Sequence, residues 1–181
     1  MKNIKGTNTE NNLKAALTGE SLARARYAFY EEAAKKAGLD NIARLFHQMI
    51  QNETYHAKIW YTLLNGPIKD SEANIMDAAN GENSEWRSMY PEFADTAREE
   101  GLEEIADLFE KVAAIEKNHE EMFLRALIQM KNPPKGTPKK EEAVSQPGFR
   151  CMFCGALRTT PLDVCDVCGA IGSFEPAGGE F

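Results

Sequence analysis

The chain has 181 residues and a formal net charge of −7, with a sequence pI near 5.1. That length holds one helical domain and something small beside it. The acidic balance leaves no basic face for phosphate, which excludes nucleic acid as a partner, and no apolar run approaches a membrane span. Met1-Lys2-Asn3-Ile4-Lys5-Gly6 lacks the apolar core of a signal peptide, so a soluble cytoplasmic protein is expected.

Residues 1–6 read as a loose arm. Thr7-Asn8-Thr9-Glu10 has capping-box spacing and predicts the start of a first helix that Gly38 ends. Its apolar stripe, Leu13, Ala16/Leu17, Ala23, Tyr27, Tyr30 and Ala34, is interrupted by Glu20. Asp40 is the expected N-cap of a second helix running to Asn65, before Gly66-Pro67. Its stripe reads Ile42, Phe46, Met49, Glu53, His56, Trp60, Leu63. Asp70 or Ser71 caps a third helix, in which Glu82 and Glu85 interrupt one stripe and Pro91 predicts a kink. Gly101 separates it from a fourth helix ending near Met130, whose stripe is Ile105, Phe109, Val112, Glu116, His119, Phe123, Ala126.

The second and fourth stripes match position for position at an offset of 63. Glu53-x-x-His56 and Glu116-x-x-His119 each place a carboxylate and an imidazole on one helix face, a turn apart. Tyr27 recurs as Tyr90 at the same offset, whereas Gly19-Glu20 recurs as Gly81-Glu82 one residue early. Seven residues therefore separate Glu20 from Tyr27, but eight separate Glu82 from Tyr90, and a π-bulge would absorb the extra one. The predicted architecture is a mainly α, ferritin-like four-helix bundle over residues 1–130, built from two related hairpins. Carboxylates on apolar faces cost several kcal/mol each, to order of magnitude, unless a cation compensates them. Glu20, Glu53, His56, Glu82, Glu116 and His119 form the pattern of dinuclear carboxylate sites, and the mixture of imidazole and carboxylate suits iron or manganese. Glu85 matches Ala23 in the first hairpin and is either a surface glutamate or a seventh ligand that trades places with His56; the ligand reading is preferred. Tyr27 and Tyr90 are core aromatics whose hydroxyls also suit bonding to metal-bound carboxylates. His47 falls off the stripe and is expected at the surface.

Residues 131–148 read as a charged, proline-stiffened linker. The tail, 149–181, is too small for an apolar core of its own and carries two matching knuckles, Cys151-Met-Phe-Cys154-Gly155 and Cys165-Asp-Val-Cys168-Gly169. Four cysteines predict a closed tetrahedral site for iron or zinc.

These motifs together resemble the rubrerythrin family: Gly19-Glu20-Ser21, Glu53-x-x-His56, Gly81-Glu82-x-x-Glu85, Met89-Tyr90-Pro91, Glu116-x-x-His119 and both Cys-x-x-Cys-Gly knuckles. The resemblance implies a di-iron domain followed by a rubredoxin-like iron domain, and reduction of hydrogen peroxide to water in oxidative-stress defence. It implies that Glu53 and Glu116 bridge the irons, with Glu20 and Glu85 or His56 on one and Glu82 and His119 on the other. Electrons would pass through iron held by Cys151, Cys154, Cys165 and Cys168, from an NAD(P)H-linked reductase or a rubredoxin, in a homodimer. The knuckles depart from the rubredoxin-like pattern at Ala156, Asp166 and in their short ten-residue gap, which keeps zinc in play. The alternatives are a ferroxidase or iron-handling protein, and a non-redox zinc-ribbon binding module on a metal-stabilised bundle.

Overall fold

The computed structural model of the protein describes residues 3–132 and 148–177. The chain divides into two compact units, Met1–Ile68 and Lys69–Phe181.

The first unit is a hairpin of α1 (Asn8–Lys36) and α2 (Asp40–Asn65). Residues 3–6 lead into it as a turn tied by Thr7 N–H to the Ile4 carbonyl at 3.1 Å. Thr7 caps α1 as expected, its hydroxyl accepting from Glu10 N–H at 3.1 Å. Glu10 reaches back one residue further than in a standard capping box, accepting from Gly6 N–H at 2.6 Å. Gly38, at φ +70°, lets the chain leave α1 through a Schellman turn: Leu39 N–H bonds the Ala34 carbonyl at 2.9 Å and Gly38 N–H bonds that of Lys35 at 3.0 Å. This turn displaces the expected cap. Leu39 occupies the N-cap position of α2 without a side-chain bond, and Asp40 becomes a first-turn acid that favours the helix dipole instead. Ala23, Ala34 and Ala43 are buried in this hairpin, small residues that let two helices approach closely.

The second unit begins with α3 (Ser71–Ser84), capped by Asp70, whose carboxylate accepts from Ala73 N–H at 2.9 Å. A π-turn, Glu85–Met89, follows without a break and leads into α4 (Tyr90–Glu99). The extra residue between Glu82 and Tyr90 is absorbed where the spacing predicted. Tyr90 N–H bonds the Glu85 carbonyl across the widened turn, and Pro91, unable to donate, sits directly after it at the start of α4. A second Schellman turn ends α4 at Gly101, with Leu102 N–H to the Ala97 carbonyl at 2.8 Å and Gly101 N–H to that of Arg98 at 3.0 Å. Helix α5 (Glu103–Lys131) returns along α3 and α4, with Ala94, Ala97 and Ala106 buried at the turn end.

Most of the segment expected to be a linker, 133–147, lies outside the described residues. A small sheet follows, β1 (Phe149–Cys151), β2 (Leu157–Arg158) and β3 (Phe174–Pro176), antiparallel in the order β2-β1-β3. Phe149 faces Arg158 on one side and Pro176 on the other. Among the described residues no helix is long and apolar enough to cross a membrane.

Candidate metal centre

Each helical hairpin gathers two carboxylates around one imidazole, and the two sets match closely. In the first unit His56 Nδ1 lies 2.8 Å from Glu53 Oε2 and 3.8 Å from Glu20 Oε1. In the second His119 Nδ1 lies 2.6 Å from Glu116 Oε2 and 3.9 Å from Glu82 Oε2. The i,i+3 spacing on α2 and α5 makes the short contact in each set; the facing helix supplies the longer one. Within each set one donor atom per residue falls inside 4.8 Å of the others. Two carboxylates balance the charge of one divalent ion, and the carboxylates are only partly exposed, so the donor chemistry fits iron in both sets.

Without a cation Glu82 resists ionisation. Burial, together with the neighbouring charges and hydrogen bonding of Glu116 and the charge of Glu85, raises the Glu82 carboxyl from its ordinary 4.5 to about 7. Burial also pushes the Tyr90 phenol upward, helped by the charges of Glu85, Glu116 and Glu82. Glu85 is thus near the second set electrostatically, although it stands outside the tight cluster of Glu82, Glu116 and His119. Tyr27 packs its ring 6.0 Å from Phe46, and Tyr90 packs 6.1 Å from Phe109, residues related by the same offset. Tyr30 and Phe93 complete the two aromatic clusters in matching places. Both tyrosines are half-buried in these aromatic clusters, and among the described residues neither hydroxyl bonds a carboxylate. His47 is exposed, 3.4 Å from Glu31, as its place off the stripe required.

The four cysteines converge as expected. Both knuckles repeat one hydrogen-bond pattern: Gly155 N–H to Cys151 and Gly169 N–H to Cys165, each at 2.9 Å, then Cys151 N–H to Ala156 and Cys165 N–H to Ala170. The glycines take φ +78° and +73°, which turns the backbone around the sulfurs. Cys151 Sγ and Cys168 Sγ are 3.8 Å apart, and Cys154 Sγ and Cys165 Sγ 3.7 Å. A tetrahedral ion with metal–sulfur bonds near 2.3 Å needs sulfurs about 3.8 Å apart, so the cage is the right size for iron or zinc. Burial pushes the Cys151 thiol up, but the Ser173 hydroxyl at 3.2 Å and local backbone amides outweigh it and bring it down to about 6. Cys154 and Cys168 are pushed up, chiefly by burial. Asp166 holds Arg158 through a forked pair at 2.7 and 2.9 Å and faces Lys111 of α5 at 3.8 Å. Gly155 lies against α5: a Cβ added there would stand 2.7 Å from His119 Nε2.

Sequence reasoning missed three residues beside the second set. Glu120 accepts from Asn83 Nδ2 at 2.9 Å and from Trp86 Nε1 at 2.6 Å, joining α5 to both sides of Glu85. The repeat that relates the hairpins has no counterpart for these side chains, so it could not point to them.

The family model described as Rubrerythrin matches residues 11–127 and 73–150. The chain belongs to the rubrerythrin family. It is 37% identical to Rubrerythrin-1 of Clostridium acetobutylicum, with 93% of each chain covered. It is 36% identical to Rubrerythrin of Porphyromonas gingivalis, covering 97% of this chain and 92% of that one. A solved structure titled Partially Reduced State of Nigerythrin shares 29% identity over 92% of this chain and 85% of the other, with a TM-score of 0.41. Rubrerythrins are di-iron proteins of oxidative-stress defence that also carry a rubredoxin-like iron site, and this chain presents the carboxylate, histidine and cysteine donors for both. The fold class is mainly α, with a four-cysteine unit at the C-terminal end.

Proposed function

We propose that the protein is a peroxidase that reduces hydrogen peroxide to water at a di-iron centre, drawing electrons through a four-cysteine iron. Glu20, Glu53, His56, Glu82, Glu85, Glu116 and His119 are the donors of the first centre; Cys151, Cys154, Cys165 and Cys168 hold the second. The observation that carries this reading is the pair of matched Glu–His–Glu sets in a chain that also closes a sulfur cage. A closed cage of four thiolates leaves no open position for substrate, which suits it to passing electrons. The domain plan that goes with it is a di-iron domain over 1–130, a linker over 131–148 and the iron–sulfur unit over 149–181.

When bound, iron at the carboxylate–histidine donors supplies two electrons to the O–O bond; with two protons, one peroxide becomes two waters. The residues do the rest. His56 Nδ1 and His119 Nδ1 lie within hydrogen-bond distance of their carboxylates, so the donor atoms are gathered before an ion arrives. The Glu82 carboxyl gives up its proton on metal binding, which makes loading depend on pH. Glu85 is the carboxylate free to exchange against His56 as the centre gains or loses charge. Electrons enter from a reductase or rubredoxin, and the working form is a homodimer in the cytoplasm.

Anaerobic reoxidation of the fully reduced protein tests this. Rapid return of ferric–thiolate colour with hydrogen peroxide, and slow return with dioxygen, is the expected result. Faster reaction with dioxygen would assign an oxidase or ferroxidase, and absence of thiolate colour would put zinc in the cage.

A further inference from the structure

The two hairpins differ in three features that occur together. Only the second carries the additional carboxylate, Glu85 against Ala23. Only the second contains the π-turn, whereas α1 runs from Asn8 to Lys36 as regular α-helix. Only the second has the Glu120 bridge: the places of Asn83, Trp86 and Glu120 are taken in the first by Ser21, Arg24 and Ala57. Ser21 turns instead to its own helix, donating to the Leu17 carbonyl at 2.8 Å.

We propose that Glu120 is a positioning residue for Glu85, clamping the π-turn through Asn83 on one side and Trp86 on the other. The proposal deepens the di-iron reading and rests on Glu85 being a ligand there. A π-turn sacrifices regular i→i+4 bonding and persists where surrounding contacts over-determine it. Here both oxygens of a half-buried carboxylate are used, one on each flank of Glu85, and the charged acceptor makes both bonds stronger than neutral ones. The indole is further held by Lys117 and Arg87, 5.4 and 5.2 Å from its ring. With residues 83 and 86 anchored, the backbone of Glu85 is fixed while its side chain stays unbonded among the described residues. That is the arrangement a carboxylate needs if it is to change partners without dragging its helix along.

The test uses the full chain, metal-free and iron-loaded. In the metal-free protein Trp86→Phe keeps an aromatic ring, though a smaller one, and deletes the donor, while Glu120→Gln keeps one acceptor. Trp86→Phe should speed amide exchange of Tyr90 by about tenfold or more, as expected for loss of a bond to a charged group, with α1 and α2 amides unchanged. Glu120→Gln should give a smaller increase and move the Trp86 indole proton resonance. Once iron is bound, both variants should alter the spectroscopic signature of the centre as Glu85→Ala does. Unchanged exchange at the π-turn, or equal acceleration throughout α3, α4 and α5, would overturn the clamp. If exchange responds as expected but Glu85→Ala leaves the iron spectrum unchanged, the clamp loses its role toward Glu85, while the peroxide test above still decides the function separately.

Discussion

Glu82 shows how much a single carboxyl in this protein depends on the cation it is built for. Its raised value, about 7 against an ordinary 4.5, means that the folded metal-free chain holds this proton more tightly than the unfolded chain does. The resulting stabilisation is full below pH 4.5 and is lost as pH rises through 7. Metal-free Glu82→Gln should lack this component, so its thermal midpoint should gain on the parent protein between pH 5 and 8; an unchanged gap across that range would refute the assignment. Gly155 gives a second residue-scale test. It combines φ +78° with an added Cβ only 2.7 Å from His119 Nε2 and 3.2 Å from Ile115. Gly155→Ala should destabilise the second unit by about 1–3 kcal/mol, read from denaturant unfolding. It should also disturb iron binding at His119 more than at His56. The metal-ligand candidates themselves were legible, because charged residues in the middle of an apolar stripe have few other reasons to be there. Asp40 was misread because the cap position had already been taken by Leu39, through a turn that Gly38 dictates and that reaches back into α1.

Among the elements, the third rod of the protein is the informative one. Counting residues between Glu82 and Tyr90 located the π-turn, since helical phase is conserved on both sides of it. What anchors the turn was not legible: Glu120 follows His119 in a run of acids that reads as an ordinary solvated face, and its partners lie 37 and 34 residues away. Deleting Arg87, an exposed residue of the turn, would restore the seven-residue spacing of the first hairpin. The shortened helix should be at least as stable as the parent in the metal-free state, while the iron-loaded protein should show two nearly equivalent irons. Circular dichroism melting and Mössbauer spectroscopy would check the two halves of this expectation. The two-knuckle pattern was read correctly because Cys-x-x-Cys-Gly specifies its own local hydrogen bonds, needing no information from the rest of the chain.

For the whole molecule, the helical hairpins and the four-cysteine unit are stabilised by different means. The hairpins have caps, Schellman turns and alanine-lined contacts; residues 149–177 have short strands and four converging sulfurs. A strong chelator applied to the reduced protein should therefore unfold the C-terminal unit and leave most helicity intact. Failure of ferric–thiolate colour to return when the chelated protein is reoxidised, with little change in far-ultraviolet circular dichroism, is the expected outcome, and loss of helicity in parallel would show that the helices too depend on metal. The repeat at offset 63 made the helical plan legible at this scale, because two copies of one pattern check each other.

The one-residue difference between those copies has a meaning in the language of descent. A duplicated hairpin begins as two identical halves, and identical halves must treat their two metal ions alike. A difference of a single codon ahead of Tyr90 ends that equality without touching a candidate ligand. The neighbouring positions differ with it: Asn83, Glu85, Trp86 and Glu120 stand around the turn where the first hairpin has Ser21, Ala23, Arg24 and Ala57. The π-turn is in this sense a dated mark in the gene: relatives that lack the extra codon should also lack both the additional carboxylate and its clamp.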